Sequence, residues 1–164
     1  MTPEEEAVAL LIQKNYTITT AESCTGGMIA STLINVPGVS QVYKEGYITY
    51  ANEAKEKLLG VSKELLVAKG AVSKEVAYSM AKGAAKAAGA EAALAVTGIA
   101  GPCGGTREKP VGLVYIGCCV KGRVTVTENR LQGDRMSIRQ ETVQRALQLL
   151  LQCLNEEKRL SPVL

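Results

Sequence analysis

The chain has 164 residues, enough for one ordinary domain and too few for two. Apolar residues make up 46% and charged residues 21%, the balance of a chain that fills a core, which excludes disordered and collagen-like polymers. With 19 basic against 16 acidic residues the net charge is only +3, and no basic run or aromatic-interleaved patch occurs, so nucleic acid is not an expected partner and the mild charge fits a small anionic substrate equally well.

Thr2 as N-cap, Pro3 at the first helical position and Glu5 as the third residue of a capping box open a first helix. Its apolar stripe is Ala7, Val8, Leu10 and Leu11, and it ends near Asn15. Thr17–Thr20 reads as a short strand. Met28, Ile29, Ala30, Leu33 and Ile34 then recur at helical spacing until Pro37-Gly38, so Ala21-Glu22-Ser23-Cys24 sits where strand gives way to helix. Val42 to Tyr50 reads as a strand with a turn-like Glu45-Gly46 in or beside it. Asn52 is expected to cap a short helix through Leu59, Ser62 a second ending near Gly70, and Ser73 a longer one carrying Val76, Met80, Ala84 and Ala87 and stopped by Gly89. Ala92–Thr97 is an apolar strand, Gly98–Gly105 a glycine-dense loop, and Val111–Val120 with Gly122–Arg130 a strand pair. Asp134 caps a last helix with Ile138, Thr142, Ala146, Leu149, Leu150 and Cys153 on one side, and the tail from Glu156 is expected to be loosely held. Strands alternating with helices imply a layered α/β domain, and the closing strand pair makes its sheet mixed.

The residue inventory narrows the chemistry. There is no histidine, which removes the commonest metal ligand and the usual base of a serine triad. The five cysteines include no CxxC pair, and an acidic opening at Glu4-Glu5-Glu6 is unlike a targeting segment, so reduced thiols and a cytoplasmic location are expected. No apolar run is long enough for a membrane span. A nucleophilic serine therefore needs a base other than histidine.

Three segments carry candidate chemistry. In Ala21-Glu22-Ser23-Cys24-Thr25-Gly26-Gly27, Ser23 lies at a strand-to-helix junction where the backbone N–H groups of Thr25, Gly26 and Gly27 are candidates to hold an oxyanion or phosphate; a plain helix cap with a tight turn is the other reading. Cys24 is a weaker nucleophile candidate, because a small residue beside the turn also packs inward. In Tyr50-Ala51-Asn52-Glu53-Ala54-Lys55, the lysine falls in the first turn of a helix, where the dipole and partial burial lower its pKa and let it act as base to a serine, with Tyr50 placed to relay a proton. A surface lysine and a packing tyrosine are the alternatives. In the third segment Thr97, Gly98, Gly101, Gly104, Gly105 and Thr106 belong to a loop that directly follows an apolar strand, the usual place for ligands in α/β proteins. It is neither a P-loop nor a dinucleotide fingerprint. Arg135, after Gly133-Asp134, is a further candidate partner for an anionic group.

Taken together these segments resemble the CinA C-terminal domain family, the nicotinamide-nucleotide amidohydrolases or NMN deamidases. The resemblance runs over roughly residues 5 to 155 and rests on Ala21 to Gly27, Thr49 to Lys55, Gly70-Ala71-Val72-Ser73, Val96 to Pro102, Gly104-Gly105-Thr106 with Lys109-Pro110-Val111-Gly112, and Gly133-Asp134-Arg135. It implies a three-layer α/β/α fold with a mixed, mostly parallel sheet, a single domain over residues 1–164 like the stand-alone members, and hydrolysis of the carboxamide of nicotinamide mononucleotide to nicotinate mononucleotide and ammonia. The implied catalytic set is Ser23, Tyr50 and Lys55, with no metal and no cofactor. Cys103 in the glycine loop and Leu131, where phenylalanine is usual, depart from the family pattern and bear on pocket shape. A catalytically silent nucleotide-binding or interaction module, and an amidase for another small carboxamide, are the alternatives; self-association into a homo-oligomer is expected.

Overall fold

The computed structural model describes residues 1–160. Helix α1 spans Pro3–Lys14, strand β1 Ile18–Glu22, α2 Met28–Ile34, β2 Tyr47–Ile48, α3 Asn52–Leu59, α4 Lys63–Lys69, α5 Lys74–Ala88, β3 Ala92–Gly98, β4 Leu113–Val120, β5 Arg123–Arg130 and α6 Arg135–Leu160. The five strands form one sheet in the order β2-β1-β3-β4-β5. β1 pairs in parallel with both β2 and β3, while β4 is antiparallel to β3 and to β5. Only β4 therefore runs against the others, which makes the sheet mixed and mostly parallel in direction.

Helices cover both faces, giving three layers, and the side chains explain which helix goes where. On one face Leu94, Val96, Val114 and Ile116 pack with Leu11 of α1, Ile29 of α2 and Leu147 and Leu150 of α6. On the other the sheet presents Ala21, Ala93 and Ala95 to Met80, Ala81 and Ala84 of α5. Small residues let α5 lie close: a Cβ on Gly117 would sit 2.7 Å from the Ala77 carbonyl oxygen, and one on Gly83 would collide with that of Leu59. The high Ala and Gly content is thus a close-approach packing scheme. Each buried Leu, Ile or Met contributes about 1.5–3 kcal/mol. β1 is buried along its whole length, as a central strand covered on both sides must be.

Most expected ends hold. Thr2 and Glu5 form the capping box of α1, Ser62 and Ser73 cap α4 and α5, and Gly60 and Gly89 end α3 and α5 in the left-handed conformation. The Asp134 carboxylate accepts the Ser137 N–H at 2.8 Å, capping α6.

Three expectations are corrected. The stretch 42–50 is not a continuous strand. A 3₁₀ turn occupies Val39–Gln41, Tyr43 makes an isolated bridge to Ile18, and only Tyr47–Ile48 join the sheet. Between them the Thr19 hydroxyl donates to the Glu45 carbonyl at 2.8 Å, a side-chain bond in place of a ladder bond. Ala51, not Asn52, is the N-cap of α3, with no side-chain capping bond. The tail expected to be loosely held from Glu156 is helical as far as Leu160, with Glu157 accepting from Tyr16 Oη at 2.6 Å and Lys14 Nζ at 3.2 Å; its remainder, 161–164, lies outside the described residues.

Candidate active site

The parallel strands β2, β1 and β3 end side by side, and the strand order reverses direction of growth at β1, the topological position where open α/β sheets bind ligands. A cleft of about 290 Å³ lies there, near the lower end of the usual range for ligand sites. Ser23 enters it from the end of β1, Tyr50 and Lys55 from the β2–α3 connection, Thr97 and Gly98 from the end of β3, and Arg135 from the start of α6. No carboxylate lines it.

The centre is a serine–lysine contact. Lys55 is 1% exposed and Ser23 9%. Lys55 Nζ lies 3.1 Å from Ser23 Oγ, 2.8 Å from the Thr49 carbonyl oxygen and 3.4 Å from that of Tyr50. Burial pushes the lysine pKa below its ordinary 10.5, opposed only by the neighbouring Cys24. Among the described residues no carboxylate pairs with it. The lysine arrives there because α3 is amphipathic: Lys55 and Leu59, four residues apart, form its buried side. Cys24, beside the serine, is buried and its thiol is pushed up to about 11 by that burial, so it stays protonated and is no competing nucleophile.

Other expected residues fall in different places. Tyr50 borders the cleft but is 61% exposed, and its hydroxyl accepts from Arg135 Nη2 at 2.9 Å; only its backbone carbonyl approaches Lys55. Arg135 also donates from Nη1 to the Gly101 carbonyl at 2.7 Å, tying the glycine loop to Tyr50 across the cleft mouth while keeping further N–H donors. Thr97 is buried with its hydroxyl on the Ala71 carbonyl at 2.8 Å, and Gly98, Gly101 and Gly104 line the cleft. A Cβ on Gly98 would sit 2.6 Å from Val114 Cγ2. Gly105 and Thr106 do not line it: Thr106 closes its own turn, its N–H donating to the Lys109 carbonyl and its hydroxyl accepting the Lys109 N–H. Thr25, Gly26 and Gly27 do not line it either, and the Gly26 N–H is used by the Ser23 carbonyl at 3.1 Å. Cys24, the residue after the nucleophile, does line the cleft, and its N–H has no bond to another residue among the described residues. Cys103 lines the cleft; Leu131 is buried in the core.

Two residues that sequence reasoning passed over hold the serine turn. Glu22 is buried at the end of β1, and its carboxylate accepts from the Thr25 hydroxyl (2.7 Å) and from the N–H groups of Ile29 (2.8 Å) and Ala30 (3.1 Å). It thus caps α2 in place of a side chain at Gly27. Arg139, one turn after Arg135, donates to the Cys24 and Thr25 carbonyls at 2.9 and 3.2 Å. The four-residue spacing of the two arginines was the available signal.

A larger groove of about 620 Å³ lies between the end of α3 and α5, bordered by Leu58, Tyr78, Ser79 and Lys82. Its serine and lysine make no bond to each other among the described residues, and Lys82 lies 5.9 Å from the Tyr78 ring centroid, so size alone does not select the site. No group of three or more cysteines and carboxylates able to hold a metal ion occurs among the described residues, and no described helix is long and apolar enough to cross a membrane.

Comparison with known proteins gives the same frame. The family model described as CinA C-terminal domain matches residues 1–154. A protein of Clostridium novyi (strain NT) is 55% identical over 150 residues, 92% of this chain and 36% of that protein. The CinA-like protein of Kosmotoga olearia is 54% identical over 151 residues, 92% of this chain and 37% of its own length. The chain therefore spans little more than a third of these relatives. Among solved structures, the competence/damage inducible protein of Agrobacterium tumefaciens superposes with a TM-score of 0.87 at 43% identity, over 94% of this chain and 97% of that one. A CinA superfamily protein from Klebsiella pneumoniae 700603 superposes with 0.90 at 32%, over 94% and 96%.

Proposed function

The chain belongs to the CinA C-terminal domain family, and on that premise we propose that it hydrolyses the carboxamide of nicotinamide mononucleotide, giving nicotinate mononucleotide and ammonia. The observation that carries this reading is the buried lysine amine 3.1 Å from Ser23 Oγ with no carboxylate at hand. A neutral amine has two N–H donors and one lone pair. The carbonyls of Thr49 and Tyr50 take the donors, and the lone pair is left for the Ser23 hydroxyl proton. Lys55 takes that proton as Ser23 Oγ attacks the carboxamide carbon. The Cys24 amide is the nearest candidate to stabilise the oxyanion. Lys55 returns the proton to the departing ammonia and then activates the water that cleaves the acyl-enzyme. The proton path is direct, since the Tyr50 hydroxyl faces Arg135 instead. Arg135 and the cleft's lack of carboxylates suit the substrate's phosphate.

The test is ammonia release from nicotinamide mononucleotide by the purified chain, with mass spectrometry of the nucleotide product and Ser23→Ala in parallel. Nicotinate mononucleotide from the wild type alone is the expected result. Equal turnover by Ser23→Ala overturns the serine mechanism; no product from folded wild type moves the assignment to another carboxamide or to a binding module without catalysis.

A further inference from the structure

Away from the cleft, α6 lays Cys153 over the β4–β5 pair. Cys118 of β4 and Thr125 of β5 are direct cross-strand partners, so their side chains share one face of the sheet. Cys118 is fully buried in the core on that face, and Cys153 packs against the same cluster while remaining partly exposed. A crevice of about 50 Å³, bordered by Cys153, Thr125 and Arg123, opens from solvent onto the outer thiol. This room suits a water-sized reagent and little else.

We propose that Cys118 and Cys153 form an oxidant-sensitive thiol pair, a modification site in which a peroxide entering the crevice converts the two thiols to a disulfide that staples α6 to β4. The chemistry balances within the pair. The Cys153 thiolate sulfur attacks one peroxide oxygen, the O–O bond breaks, and the leaving hydroxide takes a proton to depart as water, leaving a sulfenic acid. The Cys118 sulfur then attacks the Cys153 sulfur; the S–S bond forms, the S–O bond breaks, and the hydroxide leaves with the Cys118 proton as a second water. Two thiols are oxidised by two electrons and one peroxide is reduced to two waters.

The division of labour follows from the surroundings. The neighbouring Cys118 side chain lowers the Cys153 pKa, and Cys153 together with burial raises that of Cys118; Thr125 and Arg123 act on Cys153 in the same lowering direction, against burial and Glu156. The outer sulfur is thus the attacking one and the inner sulfur the resolving one. The other thiols differ: Cys24 is held protonated by burial, Cys119 points to the opposite face of β4 among the α5 contacts, and Cys103 is exposed on the cleft loop with no thiol beside it.

The test treats the intact protein with hydrogen peroxide and maps its peptides. A Cys103→Ser background, which leaves the pair untouched, removes the exposed competitor. In that background, which has four of the five cysteines, the expected result is loss of two hydrogens of mass per chain, a peptide linking Cys118 to Cys153, and a fall of two in the thiols titrated after denaturation, all reversed by dithiothreitol. Cys153→Ser should abolish the mass loss. Oxidation that stops at oxygen adducts on Cys153 without a link, or a link through Cys119 or between chains, overturns the proposal. The wild-type peptide map needs no core variant, so a misfolded Cys118→Ser protein would not blunt the result.

Discussion

Replacing Lys55 by Met keeps a linear side chain of similar reach and removes the nitrogen, so it separates the base from the packing. The nitrogen sits 3.1 Å from Ser23 Oγ and 2.8 Å from the Thr49 carbonyl. Loss of a positioned base costs about 10²–10⁴ in turnover, or about 3–5 kcal/mol of transition-state stabilisation. Stability responds differently. The buried Thr49 carbonyl loses its donor, at about 1–3 kcal/mol, while the variant no longer has to bury an amine. Because burial depresses the Lys55 pKa in the folded chain, the unfolded chain binds more protons between that depressed value and about 10.4. Wild-type stability therefore rises with pH through that window, and the burial penalty is fully present below it. Lys55→Met should compare best with wild type at the low end and lose ground as pH climbs, by at most about 1.4 kcal/mol per pH unit. Ammonia release at saturating nicotinamide mononucleotide, with thermal melts of both proteins at the same series of pH values, reads both effects. A folded variant turning over within about threefold of wild type would refute the base assignment, and a stability difference flat in pH would refute the buried-amine reasoning.

Further predictions concern the base, the cleft mouth and the serine turn. The wild-type kcat/KM should rise with pH as Lys55 loses its proton, with a midpoint below the ordinary lysine value of 10.5, and a pH–rate profile checks it. Tyr50→Phe removes the acceptor of the Arg135 bond and no bond to Ser23, so KM should rise by about threefold to tenfold with kcat nearly kept; a kcat loss of about 10²-fold or more would put the tyrosine in the proton path. Arg135→Ala should raise KM for nicotinamide mononucleotide more than for nicotinamide riboside, which lacks the phosphate, and equal effects on both would remove Arg135 from phosphate binding. Glu22→Ala strands the Thr25 hydroxyl and the Ile29 and Ala30 amides, costing at least about 2 kcal/mol; calorimetry should show a melting midpoint lower by about 4–8 °C.

What could be read from the sequence divides along a physical line. Helix ends marked by Thr2, Ser62, Ser73, Asp134, Gly60 and Gly89 were legible because capping is local: the residue and its partner lie within a turn of each other. The meeting of Ser23 and Lys55 was legible only as two suspicious segments joined by a family resemblance; what unites them in space is the parallel pairing of β1 with β2, which local pattern does not encode. Glu22 was missed because its partners Ile29 and Ala30 lie beyond a five-residue turn, outside the spacing of ordinary caps. The stretch 42–50 misled because its β-prone residues are real, but the Thr19 hydroxyl holds the Glu45 carbonyl, and the backbone at Gly46 passes so close to the Thr20 and Tyr43 hydroxyls that a Cβ there would collide with them. Of the amides expected at Thr25–Gly27, the one at Gly26 was out of reach of sequence reasoning for a related reason: the turn that carries Ser23 uses the Gly26 N–H to hold itself.

The lysine also bears on whether the cleft catalyses or merely binds. A buried amine without a counter-charge is costly, and an apolar side chain of the same volume would fill the space beneath Ser23 more cheaply. For holding an anion, a lysine at the rim is enough, and Arg135 already stands there with donors to spare. Lys55 lies instead behind the serine, its two strongest contacts being the serine oxygen and the Thr49 carbonyl, and burial biases it toward the neutral form. A neutral amine contributes little to binding a phosphate and much to removing a hydroxyl proton. The arrangement makes physical sense if the lone pair is used, and Ser23 is the group within reach to use it.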